Sequence, residues 1–122
     1  MRKMILVVED DPDLRETLLQ FFEGEGHEVR VAADGREALD VLASRGGASL
    51  VLLDLRMPEM DGLEFIRSLA GHPQLASAPV VVLTADSKGE GEAQRLGFSR
   101  ALSKPFSEQA LLRLISDYCE PN

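Results

Sequence analysis

The sequence has no tryptophan, one tyrosine and a single cysteine, Cys119, among its 122 residues. One cysteine excludes an internal disulfide and is typical of proteins from a reducing compartment. Basic residues are scarce, 13 against 21 acidic ones, for a formal net charge of −8. This charge argues against direct binding to nucleic acid, because phosphate backbones attract basic surfaces. Apolar runs are too short for a membrane span or a signal-peptide core. We therefore expect a cytoplasmic protein without membrane contact.

The length and composition are typical of one compact domain spanning residues 1–122. Hydrophobic residues make up 44% and charged residues 28% of the chain, which is enough for a core without disulfides or a structural metal. No repeat, linker or low-complexity tract divides the sequence.

Short apolar runs alternate with amphipathic segments along the whole chain. The runs are continuous rather than alternating, which indicates strands covered on both faces, as in a parallel sheet. They occupy residues 5–8, 28–32, 50–53, 80–83 and 100–103. Strand–helix alternation predicts right-handed crossovers and a doubly wound α/β sheet.

Capping residues mark the predicted helix starts. Asp11 before Pro12 is a good N-cap pair, Ser107 precedes the last helix, and residues 34 and 37 and residues 61 and 64 have capping-box spacing. The fourth helical segment, residues 84–97, carries two glycines near its start. Because interior glycine disfavours helix, we expect this segment to be short or mobile.

Polar side chains fall where the predicted strands end. Glu9 and Asp10 follow the first strand, Asp54 the third and Thr84 the fourth, and Lys104 comes just after the fifth. In an open α/β sheet, ligands bind beyond the carboxyl ends of the strands where strand order reverses. If the first and third strands are neighbours, three carboxylates meet there.

Three clustered carboxylates repel one another unless a cation lies among them. Hard oxygen ligands at this density suit Mg²⁺, which keeps coordination positions for water and substrate phosphate. Lys104 supplies a positive charge and Thr84 a hydroxyl donor for phosphoryl oxygens, the groups that phosphoryl transfer requires. A carboxylate is also an established covalent phosphoryl acceptor.

Four segments resemble, in order, the signatures of response-regulator receiver domains of two-component systems, the chemotaxis-regulator type included. They are VVEDD at 7–11, LDLRMPEMDG at 53–62, LTA at 83–85 and KPF at 104–106. The resemblance covers essentially the whole chain, and the stretch 54–62 is its most specific part.

The resemblance implies a flavodoxin-like fold, with a five-stranded parallel sheet in the order 2-1-3-4-5 and helices on both faces. It also implies that Asp54 is the phosphorylated residue. Asp10 and Asp54 would bind Mg²⁺ directly, together with the backbone carbonyl of Arg56, while Glu9 would act through water.

Further roles follow from the same resemblance. Thr84 and Lys104 would hold the phosphoryl oxygens, and the phosphoryl group would come from a histidine kinase or a histidine phosphotransfer protein. The chain would be a regulatory switch rather than a turnover enzyme. The cognate kinase, the output partner or domain and homodimer formation are left open by the sequence.

Two other functions on a similar sheet fit the residues poorly. A phosphatase of the haloacid-dehalogenase type needs an acid two residues after its aspartyl nucleophile, and Arg56 stands there. A flavodoxin-like FMN carrier needs a phosphate-binding first loop, but residues 9–13 carry four acids. A receiver-like docking module that works without phosphorylation stays open as an alternative, although every residue of the acceptor pocket is present.

One position departs from the family pattern. Ala101 stands where receiver domains carry an aromatic residue in the fifth strand, three residues before the lysine. The family's usual output surface is formed by the fourth helix, the fifth strand and the fifth helix. Ala101 and the glycines of the fourth segment both depart from the family pattern on that surface.

Overall fold

The structure, a computed structural model, describes residues 4–45, 48–54, 79–84, 100–104 and 106–119. Residues 85–97 of the predicted fourth helical segment and the capping pair at 61 and 64 lie outside these ranges. The elements are β1 Met4–Val8, α1 Pro12–Gly24, β2 Glu28–Ala32, α2 Gly35–Arg45, β3 Leu50–Asp54, β4 Val80–Thr84, β5 Ala101–Ser103 and α3 Glu108–Tyr118.

The five strands form one parallel sheet in the order β2-β1-β3-β4-β5. Both the parallel pairing and the predicted order are confirmed. The order reverses between β1 and β3, where Val8 is in register with Leu53. A crevice at the carboxyl ends of these two strands is therefore the expected ligand position in this fold.

The continuous apolar runs arise because each inner strand contributes to two cores. All five residues of β1 and of β3 are buried. Side chains of one parity, such as Leu6 and Leu53, pack with Leu42 of α2. Those of the other parity, such as Ile5, pack with Phe22 of α1 and with α3. The sheet is thus covered on both faces, as the sequence predicted.

The start of α1 is fixed by its cap. The Asp11 carboxylate accepts hydrogen bonds from the backbone N–H groups of Asp13 at 3.0 Å and Leu14 at 3.5 Å, and Pro12 occupies the first turn. Asp11 is thereby a helix cap, as predicted. The short loop between β1 and α1 is held at the carboxyl edge of the sheet.

The last strand is tied to the last helix through Arg100. Its guanidinium forms an ion pair with Asp117 and lies 5.6 Å from the centre of the Tyr118 ring. The strand itself begins at Ala101 rather than Arg100, and its three residues are only partly buried. These two contacts connect the start of β5 to the C-terminal turn of α3.

We expect Ser107→Ala to lower the free energy of unfolding by about 1 kcal/mol, the usual contribution of an N-cap hydroxyl. The Ser107 side chain accepts a hydrogen bond from the Ala110 N–H at 3.1 Å, and alanine leaves this donor without its cap. Urea unfolding measures the change. Ser116→Ala, at an exposed position of the same helix, is the control and should be neutral or slightly stabilising. Equal effects of the two substitutions would contradict the capping account.

Within the described residues, none of the helices combines the length and apolar character that a membrane span requires.

Candidate functional site

Three carboxylates meet at the carboxyl ends of β1 and β3. Glu9, Asp10 and Asp54 each place a carboxylate oxygen so that all three lie within 4.8 Å of one another. Glu9 is fully buried and Asp54 is 9% exposed, whereas Asp10 is exposed to solvent. The crevice predicted from strand order is therefore lined with acids.

Hydrogen bonds hold both the backbone and the carboxylate of Glu9. Its backbone N–H donates to the Ala32 carbonyl at 3.0 Å. Its carboxylate accepts from the Lys104 ammonium at 2.8 Å and from the Asp11 backbone N–H at 3.2 Å. Its backbone carbonyl accepts from the Arg15 guanidinium at 3.0 Å. A buried acid with these contacts is a fixed part of the pocket and not a solvated acid at a strand end.

Lys104, which follows the edge strand β5, contacts the acidic cluster. Its ammonium lies 2.8 Å from Glu9 Oε1 and 3.3 Å from Asp54 Oδ2. Its backbone N–H donates to the carbonyl of Thr84 at 2.7 Å, which ties the lysine to the end of β4. One ammonium is thus shared between two carboxylates that are themselves neighbours.

Among the described residues, the pocket places three carboxylates around the ammonium of Lys104. Burial, followed by the hydrogen bond with Asp54, raises the pKa of Glu9 from 4.5 to about 7 against the lowering effect of Lys104. Burial also lowers the pKa of Lys104, but its hydrogen bond to Glu9 and the charge of Asp54 outweigh this, so that its pKa lies above the usual value. The ammonium is stabilised by two acids while Glu9 still carries the cost of burial beside Asp54. An additional cation would relieve that cost.

Thr84 ends β4 beside the lysine and is 5% exposed. Its hydroxyl donates to the Leu102 carbonyl of β5 at 3.4 Å. The residue before Leu102 is Ala101, which lies opposite Val82 in the register of β4 and β5. The hydrogen bond from Thr84 thus meets the backbone of β5, and Ala101 offers a methyl group and no aromatic ring at the preceding position.

The donor set fits the predicted ion. Three carboxylates that offer one oxygen each form a hard-oxygen site, and Mg²⁺ is held in proteins by a few carboxylates together with water. Glu9, Asp10, Asp54 and Lys104 come together as the sequence analysis expected, and Thr84 lies next to them. Arg56, whose carbonyl was expected to complete the site, lies outside the described residues.

Arg15 was not among the site residues predicted from the sequence. This residue lies one turn into α1 and reaches back to the Glu9 carbonyl. A cation placed four residues after the cap of a helix that follows an acidic strand end is the signal that would have identified it.

The fold and the site define a doubly wound, flavodoxin-like α/β protein with an acidic, cation-competent crevice at the reversal of strand order. Residues 5–116 match the family described as response regulator receiver domain. The chain belongs to this family, and it is the receiver domain of two-component response regulators.

Individual relatives agree with this assignment. The chain is 42% identical over 117 residues to a 14.6 kDa protein of Leptolyngbya boryana, covering 94% of this chain and 88% of that one. It is 44% identical over 114 residues to the response regulator MprA of Mycobacterium tuberculosis, covering 92% of this chain but only 48% of MprA. The chain therefore spans about half the length of several curated relatives.

A solved structure of a receiver domain shares the fold. The receiver domain of the sensor histidine kinase PA1611 of Pseudomonas aeruginosa is 28% identical, with a TM-score of 0.84 and coverage of 97% of this chain and 98% of that chain. That structure holds a magnesium ion in its active-site cleft.

Proposed function

We propose that the chain is a Mg²⁺-dependent phosphorelay switch that accepts a phosphoryl group on Asp54. The observation that carries the proposal is the meeting of Glu9, Asp10 and Asp54 within 4.8 Å, with the Lys104 ammonium in contact with two of them. Membership in the receiver family supports the same function. The donor would be a histidine kinase or a histidine phosphotransfer protein.

In the transfer, an Asp54 carboxylate oxygen attacks the phosphorus of a phosphohistidine. The new O–P bond forms as the N–P bond breaks, and the bonding electron pair stays on the imidazole nitrogen. Asp54 suits this role because it is at the open end of β3, with an oxygen 3.3 Å from the Lys104 ammonium. The product is an aspartyl phosphate, so that the chain changes state and the reaction makes it a switch rather than a turnover enzyme.

Lys104 and Thr84 would hold the equatorial oxygens of the phosphoryl group. Lys104 already lies beside the acceptor and can exchange a carboxylate contact for a phosphoryl oxygen. The Thr84 hydroxyl must leave the Leu102 carbonyl, to which it now donates at 3.4 Å. Because this hydrogen bond is long and therefore weak, breaking it costs little free energy. The exchange would change the hydrogen bonding of the β5 backbone at Leu102.

Mg²⁺ would be held by the carboxylates of Asp10 and Asp54 and the backbone carbonyl of Arg56, with Glu9 acting through water. The ion supplies positive charge that offsets the negative charge developing on the phosphoryl oxygens. The chain's own contribution is to bury Glu9 and Asp54 and to bring the three carboxylates to one point.

We take residues 1–122 as a single cytoplasmic receiver domain that regulates an output partner or output domain without contacting nucleic acid directly. The experiment that tests the proposed function is phosphorylation by a small-molecule phosphodonor, followed by intact mass, with Mg²⁺ and with EDTA. One phosphoryl adduct that requires the metal supports the switch, and a folded protein without adduct in either condition points to a phosphorylation-independent docking module.

Mg²⁺ should also stabilise the folded chain. A ligand that binds only the folded state at 100 times its Kd adds about 2.7 kcal/mol to the free energy of unfolding. We expect Asp10→Asn to remove most of this gain, because Asp10 belongs to the acidic cluster and its exposure lets asparagine replace it without a packing change. Thermal unfolding over a Mg²⁺ series measures the effect. The matched control, Asp13→Asn at an exposed position of α1, should keep the gain, and its loss in both variants would refute the assignment.

A further inference from the structure

Arg15 makes a side-chain contact outside its own helix. Its guanidinium reaches from the helix to the backbone carbonyl of Glu9, at 3.0 Å and partly buried. Arg15 follows Pro12 in the N-terminal turn of α1, where the helix dipole disfavours a positive charge. A cation kept at an electrostatically unfavourable place, with a specific contact outside its helix, indicates a role in the contacted loop.

The contacted carbonyl belongs to the peptide group that joins Glu9 to Asp10. A peptide group is planar, so fixing its carbonyl oxygen fixes the direction in which the chain enters Asp10. Contacts with Ala32, Asp11 and Lys104 hold the N–H and the carboxylate of Glu9 rather than its carbonyl. Arg15 therefore fixes the peptide group that precedes Asp10, the exposed member of the acidic cluster, while the Asp11 N–H ties the peptide group that follows it to the Glu9 carboxylate.

We propose that Arg15 is a positioning residue for the Mg²⁺ site, which acts through the Glu9–Asp10 peptide to aim the Asp10 carboxylate at the point where the three acids meet. This inference rests on the proposed function, because it assigns Arg15 to the same Mg²⁺ site. Arg15 touches neither the ion nor the phosphoryl group in this scheme.

Electrostatic repulsion and positioning predict opposite changes in Mg²⁺ affinity when Arg15 is replaced. A guanidinium near a dication site repels the ion, so that removing its charge should strengthen Mg²⁺ binding. Removing a positioning contact should weaken binding instead, and substitutions of residues that orient metal ligands lower metal affinity by about tenfold or more. The sign of the change in Kd separates the two.

The experiment measures the Kd for Mg²⁺ by isothermal titration calorimetry at constant ionic strength. Arg15→Met removes the donor but keeps an unbranched stem and helix propensity, so we expect it to fold, and we expect its Kd to rise about tenfold. Arg113→Met removes the same charge from an exposed position of α3 and should leave the Kd unchanged. Arg15→Lys keeps the charge but loses the planar donor, and its Kd should lie between those of the wild type and Arg15→Met.

Phosphorylation kinetics give a second readout. In Arg15→Met the Mg²⁺ concentration for half-maximal phosphoryl acceptance should rise in step with the Kd, while the rate at saturating Mg²⁺ stays close to that of the wild type. A general folding defect would lower the saturated rate as well and would not be rescued by metal.

Each outcome has one meaning. Unchanged or tighter Mg²⁺ binding by Arg15→Met, beside normal binding by the wild type, overturns the role of Arg15 and leaves the proposed function standing. Absence of Mg²⁺ binding by the wild type overturns both. If Arg15→Met fails to fold, Arg15→Lys decides: weaker binding at constant charge supports positioning, and wild-type affinity contradicts it.

Discussion

Replacing Asp54 with asparagine is expected to abolish phosphoryl acceptance and to leave the fold intact. The amide has no anionic oxygen to attack phosphorus and cannot form the acyl phosphate, so the loss should be complete rather than partial. Asp54 is 9% exposed and lies beside Glu9 and the Lys104 ammonium. Because the substitution removes one of three crowded carboxylates, the melting temperature should stay the same or rise.

Transfer of labelled phosphate from a phosphorylated histidine kinase or a small phosphodonor measures the loss. Asp40→Asn, on the exposed face of α2, is the matched control and should accept phosphate like the wild type. Phosphoryl acceptance by Asp54→Asn at a rate comparable to this control would mean that another residue is the acceptor.

Lys104→Met is expected to slow phosphoryl acceptance on the order of a hundredfold, the loss seen when one preorganised electrostatic donor is removed. The ammonium contacts both Glu9 at 2.8 Å and Asp54 at 3.3 Å. Without it, an incoming phosphoryl group meets two buried carboxylates with one positive charge fewer. Methionine keeps the aliphatic stem, so that the change is mainly one of charge.

The same substitution should lower the free energy of unfolding by about 1–3 kcal/mol, because it leaves a buried acceptor without its donor. Glu9 can limit this loss by taking up a proton, since its pKa is already raised to about 7. Rates at saturating Mg²⁺ and urea unfolding measure the two effects. Arg113→Met supplies the control for the loss of one positive charge. A rate of phosphoryl acceptance in Lys104→Met equal to that of this control would show that Lys104 does not assist the transfer.

The strands were predictable because the sheet is buried on both faces. Leu50–Asp54 and Val80–Thr84 differ from the predicted runs by a single polar residue at the carboxyl end, where the run of apolar letters stops but the backbone pairing continues. The short β5 was the least clear run in the sequence, and it is the strand whose three residues are all partly exposed. Burial on two faces leaves a strong pattern in sequence, and partial burial at a sheet edge leaves a weak one.

The acids of the site were predictable from their places at strand ends, but their environments were not. The sequence around Glu9 does not indicate that Glu9 is fully buried while the next residue, Asp10, is exposed. That difference depends on Lys104, which is distant in sequence, and on the turn after β1. The same limit applies to Cys119, which is 1% exposed within the core although it lies near the end of the chain. Contacts between distant segments are set by packing, which periodicity does not encode.

The central claim is that the phosphoryl group forms an acyl phosphate on Asp54 in a Mg²⁺-dependent reaction. Borohydride reduces an aspartyl phosphate to homoserine, so treatment of the phosphorylated protein followed by peptide mass mapping locates the acceptor directly. We predict homoserine at position 54 after reaction with a phosphodonor in Mg²⁺, and unmodified aspartate at that position when EDTA is present. Homoserine at another position, or none in Mg²⁺ from a folded protein, would contradict the account.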